Sequence, residues 1–219
     1  MGKKIGVILA GCGVMDGSEI HESVLTILAL DRGSAETIFL SPFKKQAHVM
    51  NHLEGKEADG EIRSIPVESA RIARGKVFDI TGYSAADLDG IVFPGGFGAA
   101  KNLCDFASKG DNCTVDTEVS RLIIEMHEEG KPMGFICIAP VIIAKVLGHL
   151  GVSITIGSDK GTASKVESMG ARHKIREVHE IEVDLTHKII TTPAYMLGPG
   201  ISDIEKGISK LITKLLEMA

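Results

Sequence analysis

Met133-Gly134-Phe135-Ile136-Cys137-Ile138-Ala139-Pro140 is the stretch that decides the fold. Four mostly apolar residues make a short strand, Cys137 stands at its end, and an apolar run with helical character continues through Leu147. A strand that turns directly into a helix puts the turn residue at the carboxyl edge of a sheet, which is how a nucleophile elbow presents its side chain. The place beside a helix N-terminus also favours thiolate, because the positive end of the helix dipole faces the sulfur. A drop of two or three units from about 8.5 would raise the thiolate fraction roughly thirty-fold near neutral pH. A buried cysteine packing as a small hydrophobe at a strand end has the same local sequence. The surrounding chain has to separate the two.

Working outward, residues 4–10 form a second strand dense in Ile, Val and Leu, as a strand covered on both faces should be. It runs into a glycine-rich loop, residues 11–17. Ser18 is placed to cap a helix over 18–32, with Glu19 and Glu22 in its first turn and Gly33 at its end. Residues 37–40 are a further strand, closed by Ser41-Pro42. The polar segment 43–82 reads as a hairpin or loop near 51–64 and a helix near 67–74. A short helix at 84–88 leads to a core strand at 90–93, the turn Pro94-Gly95-Gly96-Phe97-Gly98, and a helix over 99–107. An amphipathic helix over 116–129 is capped by Asp116 and ended by Gly130-Lys131-Pro132. Beyond the central stretch come a strand at 153–156, a short helix at 164–169, two strands at 180–184 and 188–192, and a closing helix at 201–216.

Strands alternating with helices give a mainly parallel sheet covered on both faces. In such sheets the site lies at the carboxyl ends of the strands, at a switch point. Three strand ends carry unusual residues there: the Cys12 loop, the Pro94-Gly95-Gly96 turn and Cys137. There are no repeats and no low-complexity linker, so residues 1–219 are expected to form a single domain.

Composition excludes several classes. A net charge of -5 with no obvious basic face argues against nucleic acid, which needs clustered Lys and Arg. No long apolar run reads as a membrane span. Met1-Gly2-Lys3-Lys4 enters a strand directly, unlike a secretory signal. Cytoplasm is therefore the expected compartment, with mitochondria the alternative if a transit peptide has been removed. The four cysteines, Cys12, Cys104, Cys113 and Cys137, show neither CxxC spacing nor a zinc pattern, and no metal is expected. They read as thiols, with Cys104 and Cys113 structural or exposed.

The loop Gly11-x-Gly13-x-x-x-Gly17 resembles a dinucleotide loop, but Ser41-Pro42 stands where a Rossmann site wants an acid, and no cofactor is expected. Gly96 can aim its N–H at a developing oxyanion, with the N–H of Ile138 as second donor; each such donor contributes roughly 3 kcal/mol to a transition state. Gly95 belongs to the same turn. Glu19, His21 and Glu22 open the first helix, where acids complement the dipole or direct a carboxyl group at the thiol.

Three segments carry a family resemblance: Gly-Ser-Glu-Ile-His-Glu-Ser-Val at 17–24, Pro-Gly-Gly-Phe-Gly-Ala-Ala-Lys-Asn-Leu at 94–103, and Ile-Cys-Ile-Ala-Pro at 136–140. They resemble the PfpI-type, class I glutamine amidotransferase-like superfamily. The opening Gly-Val-Ile-Leu-Ala-Gly-Cys-Gly, Thr114-Val115-Asp116 and Thr191-Thr192-Pro193-Ala194-Tyr195-Met196 narrow the likeness to the ElbB branch. It extends over nearly the whole chain. The resemblance implies a flavodoxin-like three-layer α/β sandwich, commonly a homodimer. It implies a reactive Cys137 with a protonated carboxyl partner at Glu22, and an oxyanion or substrate-binding site at Gly95, Gly96 and Ile138. It also implies a glyoxalase that takes a small dicarbonyl such as glyoxal to a 2-hydroxy acid without glutathione or metal, and an association with isoprenoid biosynthesis. A thiol redox sensor or regulatory binding protein is the alternative. The chain departs from the superfamily in two places. Ile138 follows the cysteine where protease-type members have His, and Gly157-Ser158-Asp159 stands where many members carry another His. No third triad member can be assigned. His21 is a substitute for it, Cys12 a pocket or second thiol, and Asp159 a loop or pocket acid.

Overall fold

A computed structural model describes residues 2–219; Met1, the first residue of the segment read as unlike a secretory signal, lies outside the described residues. In chain order the elements are β1 (Lys4–Ile8), α1 (Ile20–Arg32), β2 (Glu36–Ser41), β3 (Met50–Asn51), β4 (Lys56–Glu57), α2 (Ile65–Ile72), β5 (Phe78–Asp79), β6 (Gly90–Phe93), α3 (Phe97–Lys101), α4 (Phe106–Lys109) and α5 (Thr117–Glu128). There follow β7 (Met133–Ile136), α6 (Pro140–Leu147), β8 (Ser153–Ile154), α7 (Lys160–Ser168), β9 (Arg172–His173), β10 (Glu182–Asp184), β11 (Ile189–Thr192) and α8 (Ile201–Met218).

Seven strands form one sheet in the order β10-β11-β7-β6-β1-β2-β5. All neighbours run parallel except the β10–β11 hairpin. Two apolar layers sandwich it. One face packs on α5 and α6 through residues such as Leu122, Met126, Ile142 and Ile143. The other packs on α1 and α8 through Leu30, Ile204, Ile208 and Leu211. This is the expected α/β sandwich, and the fully buried strands β6 and β7 are the reason their sequences carry no polar alternation. Phe93 and Phe135, opposite each other on those strands, stack at 4.7 Å. Chain order reverses direction at β1, which sets the switch point between the β1 and β6 ends, one strand from β7.

Several local expectations are corrected. The cap of α1 is Glu19, whose carboxylate accepts from the N–H of Glu22 at 2.7 Å; Ser18 instead accepts from the N–H of Ala10 at 2.8 Å. The single helix over 99–107 is two short helices. Asn102 interrupts it because its side chain is committed elsewhere, donating to the carbonyls of Ala10 and Asp16 at 2.8 Å and accepting from Ala47 N–H at 2.8 Å. The strand near 153–156 lies outside the main sheet, paired with β9 in a small side ribbon. No described helix is long and apolar enough to cross a membrane.

Candidate active site

Cys137 sits between β7 and α6 with φ +61°. Left-handed backbone costs an ordinary residue roughly 1–2 kcal/mol. Here the turn is held by Cys137 N–H donating to Thr192 carbonyl at 2.9 Å and Ala139 N–H donating to Ile136 carbonyl at 3.0 Å. The side chain is thrust toward the β6 turn, where Gly95 makes the approach possible. A Cβ at Gly95 would stand 2.5 Å from both the Cys137 Cβ and the Glu22 Oε2. Gly96 follows at φ +90°, a conformation that turns its N–H to the same point.

Glu22 is fully buried in the first turn of α1. Its Oε2 accepts from Gly95 N–H at 2.9 Å and its Oε1 accepts from Tyr195 N–H at 3.2 Å. The carboxyl group lies against the Cys137 thiol. Burial, reinforced by the neighbouring Glu19 carboxylate, raises Glu22 to about 7, against the opposing pull of the Tyr195 N–H, the thiol and the Gly95 N–H. A carboxyl group so placed exchanges protons near neutral pH.

The thiol departs from its expected direction. Burial, then the Glu22 carboxylate, push Cys137 well above its ordinary value. The N–H groups of Gly96 and Ile138 pull the other way and do not win. The sulfur is covered, with residue exposure of 7%, and its nearest charge is negative. Together these outweigh the pull expected of a helix dipole. The sulfur is therefore a thiol at rest, and Glu22 is the group placed to relieve it of its proton.

A cavity of about 480 Å³ opens above the sulfur. Its walls include Glu19, Gly96, Cys137, Ile138 and Tyr195, and also Phe97, Phe106, Thr162 and Lys165. Tyr195, Met196, Phe106, Thr162 and Lys165 were given no site role by sequence. The signal for Tyr195 was present in the Thr191–Met196 motif after β11, the strand beside β7.

Other sequence candidates go elsewhere. Gly95 spends its N–H on Glu22 and so positions that carboxyl rather than an oxyanion. Cys12 is half-buried in a bridge with Ser18, outside the cavity lining, and burial followed by Glu68 pushes its thiol up. His21 is exposed and shares a 2.7 Å hydrogen bond with the Tyr195 hydroxyl. Among the described residues no histidine makes a hydrogen bond to the Cys137 thiol. Asp159 caps α7, accepting from Thr162 N–H at 2.7 Å. Among the described residues no three of His, Cys, Asp or Glu are grouped to hold a metal ion.

No protein-family model matches the chain. A human protein named glutamine amidotransferase-like class 1 domain-containing protein 3, mitochondrial, is 45% identical over 98% of this chain and 83% of its own. The chain belongs to the glutamine amidotransferase-like class 1 family. The solved structure of an amidotransferase-like relative, the isoprenoid biosynthesis protein with amidotransferase-like domain from Ehrlichia chaffeensis, shares 35% identity with a TM-score of 0.91 over 99% of this chain and 100% of that one. Drosophila melanogaster DJ-1beta, 19% identical with a TM-score of 0.54 over 100% of this chain and 96% of that one, shares the amidotransferase-like fold.

Proposed function

We propose that this amidotransferase-like protein is a cofactor-independent glyoxalase of the ElbB branch, converting a 2-oxoaldehyde to a 2-hydroxy acid through Cys137. One observation carries the reading: a left-handed cysteine at the floor of a cavity, with a buried carboxyl group of pKa about 7 against its sulfur. A carboxyl group tuned near the working pH can both take and return a proton.

Atoms and electrons balance at each step. The sulfur attacks the aldehyde carbon while Glu22 carboxylate takes the thiol proton, and the oxygen becomes an alkoxide held by Gly96 and Ile138 N–H. That alkoxide takes the proton back from Glu22, giving a hemithioacetal. Glu22 then removes the C–H proton to form an enediolate and delivers it to the adjacent carbon. The C1 hydroxyl proton passes to the C2 oxygen, leaving the 2-hydroxy thioester; water then adds to its carbonyl and the C–S bond breaks, releasing the 2-hydroxy acid and the thiol. The sum is dicarbonyl plus water, with no external oxidant. A neutral protein thiol suits this scheme because its proton acceptor is built in.

Residues 1–219 are taken as one domain, since both apolar layers pack on a single sheet. The partner is a second copy of the chain. The outward row Ile20, Val24 and Leu28 of α1, each at least 38% exposed, is the apolar face that would meet it. For compartment, mitochondria are preferred to cytoplasm because the human relative is named mitochondrial. The isoprenoid association rests on the name of the Ehrlichia relative. The test of the chemistry is glycolate release from glyoxal by purified protein. Release in the wild type that is lost in Cys137→Ala supports the scheme, and equal release in Cys137→Ala ends it.

A further inference from the structure

The cavity is far larger than the substrate named so far. Glyoxal fills the space of about two or three waters, roughly 60–90 Å³ at about 30 Å³ each, against about 480 Å³ available. The charges around it differ at the two ends. Glu19 in the lining and the buried Glu22 stand near Cys137, while Lys165 has the engaged carboxylates of Asp111 and Asp159 for neighbours. Among the described residues Lys165 is the only cationic side chain in the lining.

Lys165 is held for this place. It lies one helical turn after Thr162 on α7, and both side chains line the cavity. Its ammonium stands 5.6 Å from the centroid of the Phe106 ring, and its stem passes the bare backbone of Gly110. Among the described residues it forms no ion pair within 4.0 Å, whereas its acidic neighbours are engaged. Asp111 accepts from Ser168 Oγ at 2.6 Å, and Asp159 accepts from Thr162 N–H at 2.7 Å. Those two carboxylates temper the ammonium, so the local charge suits a monoanion better than a phosphate. Phe97, Ala100 and Phe106 supply apolar wall.

We propose that the natural substrate is a 2-oxoaldehyde bearing a carboxylate beyond a short apolar chain, with that carboxylate on Lys165 and Thr162 and the dicarbonyl at Cys137. Repulsion from Glu19 and Glu22 and attraction to Lys165 select one of the two possible orientations, the one that presents the aldehyde to the sulfur. The proposal rests on the reading of Cys137 as the reacting end. Its reaction is the same: a carboxylated dicarbonyl plus water gives a 2-hydroxy diacid, as 4,5-dioxopentanoate would give 2-hydroxyglutarate.

The test separates binding from chemistry. The unreactive 4-oxopentanoate and its neutral counterpart pentan-2-one are titrated into full-length protein, following the amide signals of Gly96 and Ile138. The expected result is half-saturation by 4-oxopentanoate at about tenfold lower concentration than by the ketone, the scale of a charge-assisted contact. Lys165→Met should equalise the two, and Lys165→Arg should restore the preference. Equal affinities in the wild type, absence of binding by either, or a preference that survives in Lys165→Met would overturn the proposal. In parallel, turnover of 4,5-dioxopentanoate is compared with that of methylglyoxal. If no dicarbonyl is turned over while the binding preference holds, it is the glyoxalase reading that fails and the anion site that stands.

Discussion

The molecule contains two buried thiol sites, and burial does not tell them apart. Cys137 is 7% exposed, Cys104 5% and Cys113 2%. Around Cys137 the backbone is left-handed, two N–H groups and a carboxyl group face the sulfur, and a cavity opens above it. Around Cys104 and Cys113 the thiols face each other. Cys104 Sγ donates to Ala99 carbonyl at 3.3 Å, and the backbone makes an antiparallel bridge from Cys104 to Val115. One site keeps its polar groups pointed at an open volume; the other consumes them internally. On the proposed function, what sets Cys137 apart is access and a proton acceptor rather than position in the core.

The largest expected effect tests that contrast directly. Cys137→Ala should lower glyoxal turnover by at least about 10³-fold, since the covalent step is lost. Cys104→Ala should leave turnover within about twofold. Comparable losses in both variants, measured as glycolate released by folded protein, would erase the distinction between the two sites.

Next is the proton held by Glu22. Its folded value, about 7, lies above its ordinary 4.5. Between those values the folded chain keeps a proton that the unfolded chain has released. The stability this provides is fully present below pH 4.5 and is lost as pH rises to about 7, by about 3 kcal/mol for a shift of this size. Urea unfolding across this range should show that decline, and Glu22→Gln should flatten it. The Glu22→Gln variant should also be less stable than the wild type at the acid end, because the new amide NH₂ meets an N–H where both carboxyl oxygens now accept. A wild-type profile flat from pH 4.5 to 7 would show that Glu22 is ionised throughout and deny it the shuttling role.

Gly95→Ala is expected to cost about 2–3 kcal/mol, the scale of an overpacked site. The added methyl meets Cys137 Cβ and Glu22 Oε2 at 2.5 Å and Ile136 carbonyl at 2.9 Å. Turnover should fall along with stability, because the same methyl separates acid from sulfur. Unfolding midpoint and glycolate release, measured on one preparation, check both halves.

What was legible in sequence follows the same division. Strand–turn–helix periodicity is local, so the sheet, the cap at Asp116 and the elbow at Cys137 could all be read from neighbouring residues. Glu22 was reached through its place in the first turn of α1 and through resemblance. The break of the 99–107 helix was not legible, because Asn102 answers to Ala10, Asp16 and Ala47, all more than fifty residues away. Lys165 and Thr162 were equally hidden, since only the packing of α7 beside α4 brings them to the cavity. The direction of the Cys137 shift failed for a related reason. A helix dipole is written in local sequence, whereas the burial and the carboxylate that outweigh it come from α1, more than one hundred residues earlier.

The smallest expected effect belongs to the quiet site. Cys113→Ala removes one buried sulfur and leaves Cys104 with its Ala99 acceptor. The loss should be about 1 kcal/mol, a small cavity without an orphaned charge. It should appear as a lower urea midpoint with an unchanged slope, and with turnover within about twofold of the wild type. Phe106 and Lys165 make this variant informative, because Cys113 lies in the turn between α4 and α5 and Phe106 begins α4 at the cavity wall. If the two sites are independent, glyoxal kinetics will not register the change, and any loss will be confined to stability. A drop in turnover with the midpoint intact would show that the α4 wall transmits packing at Cys113 to the reacting end, and the contrast between an open site and a closed one would have to be redrawn as a coupling between them.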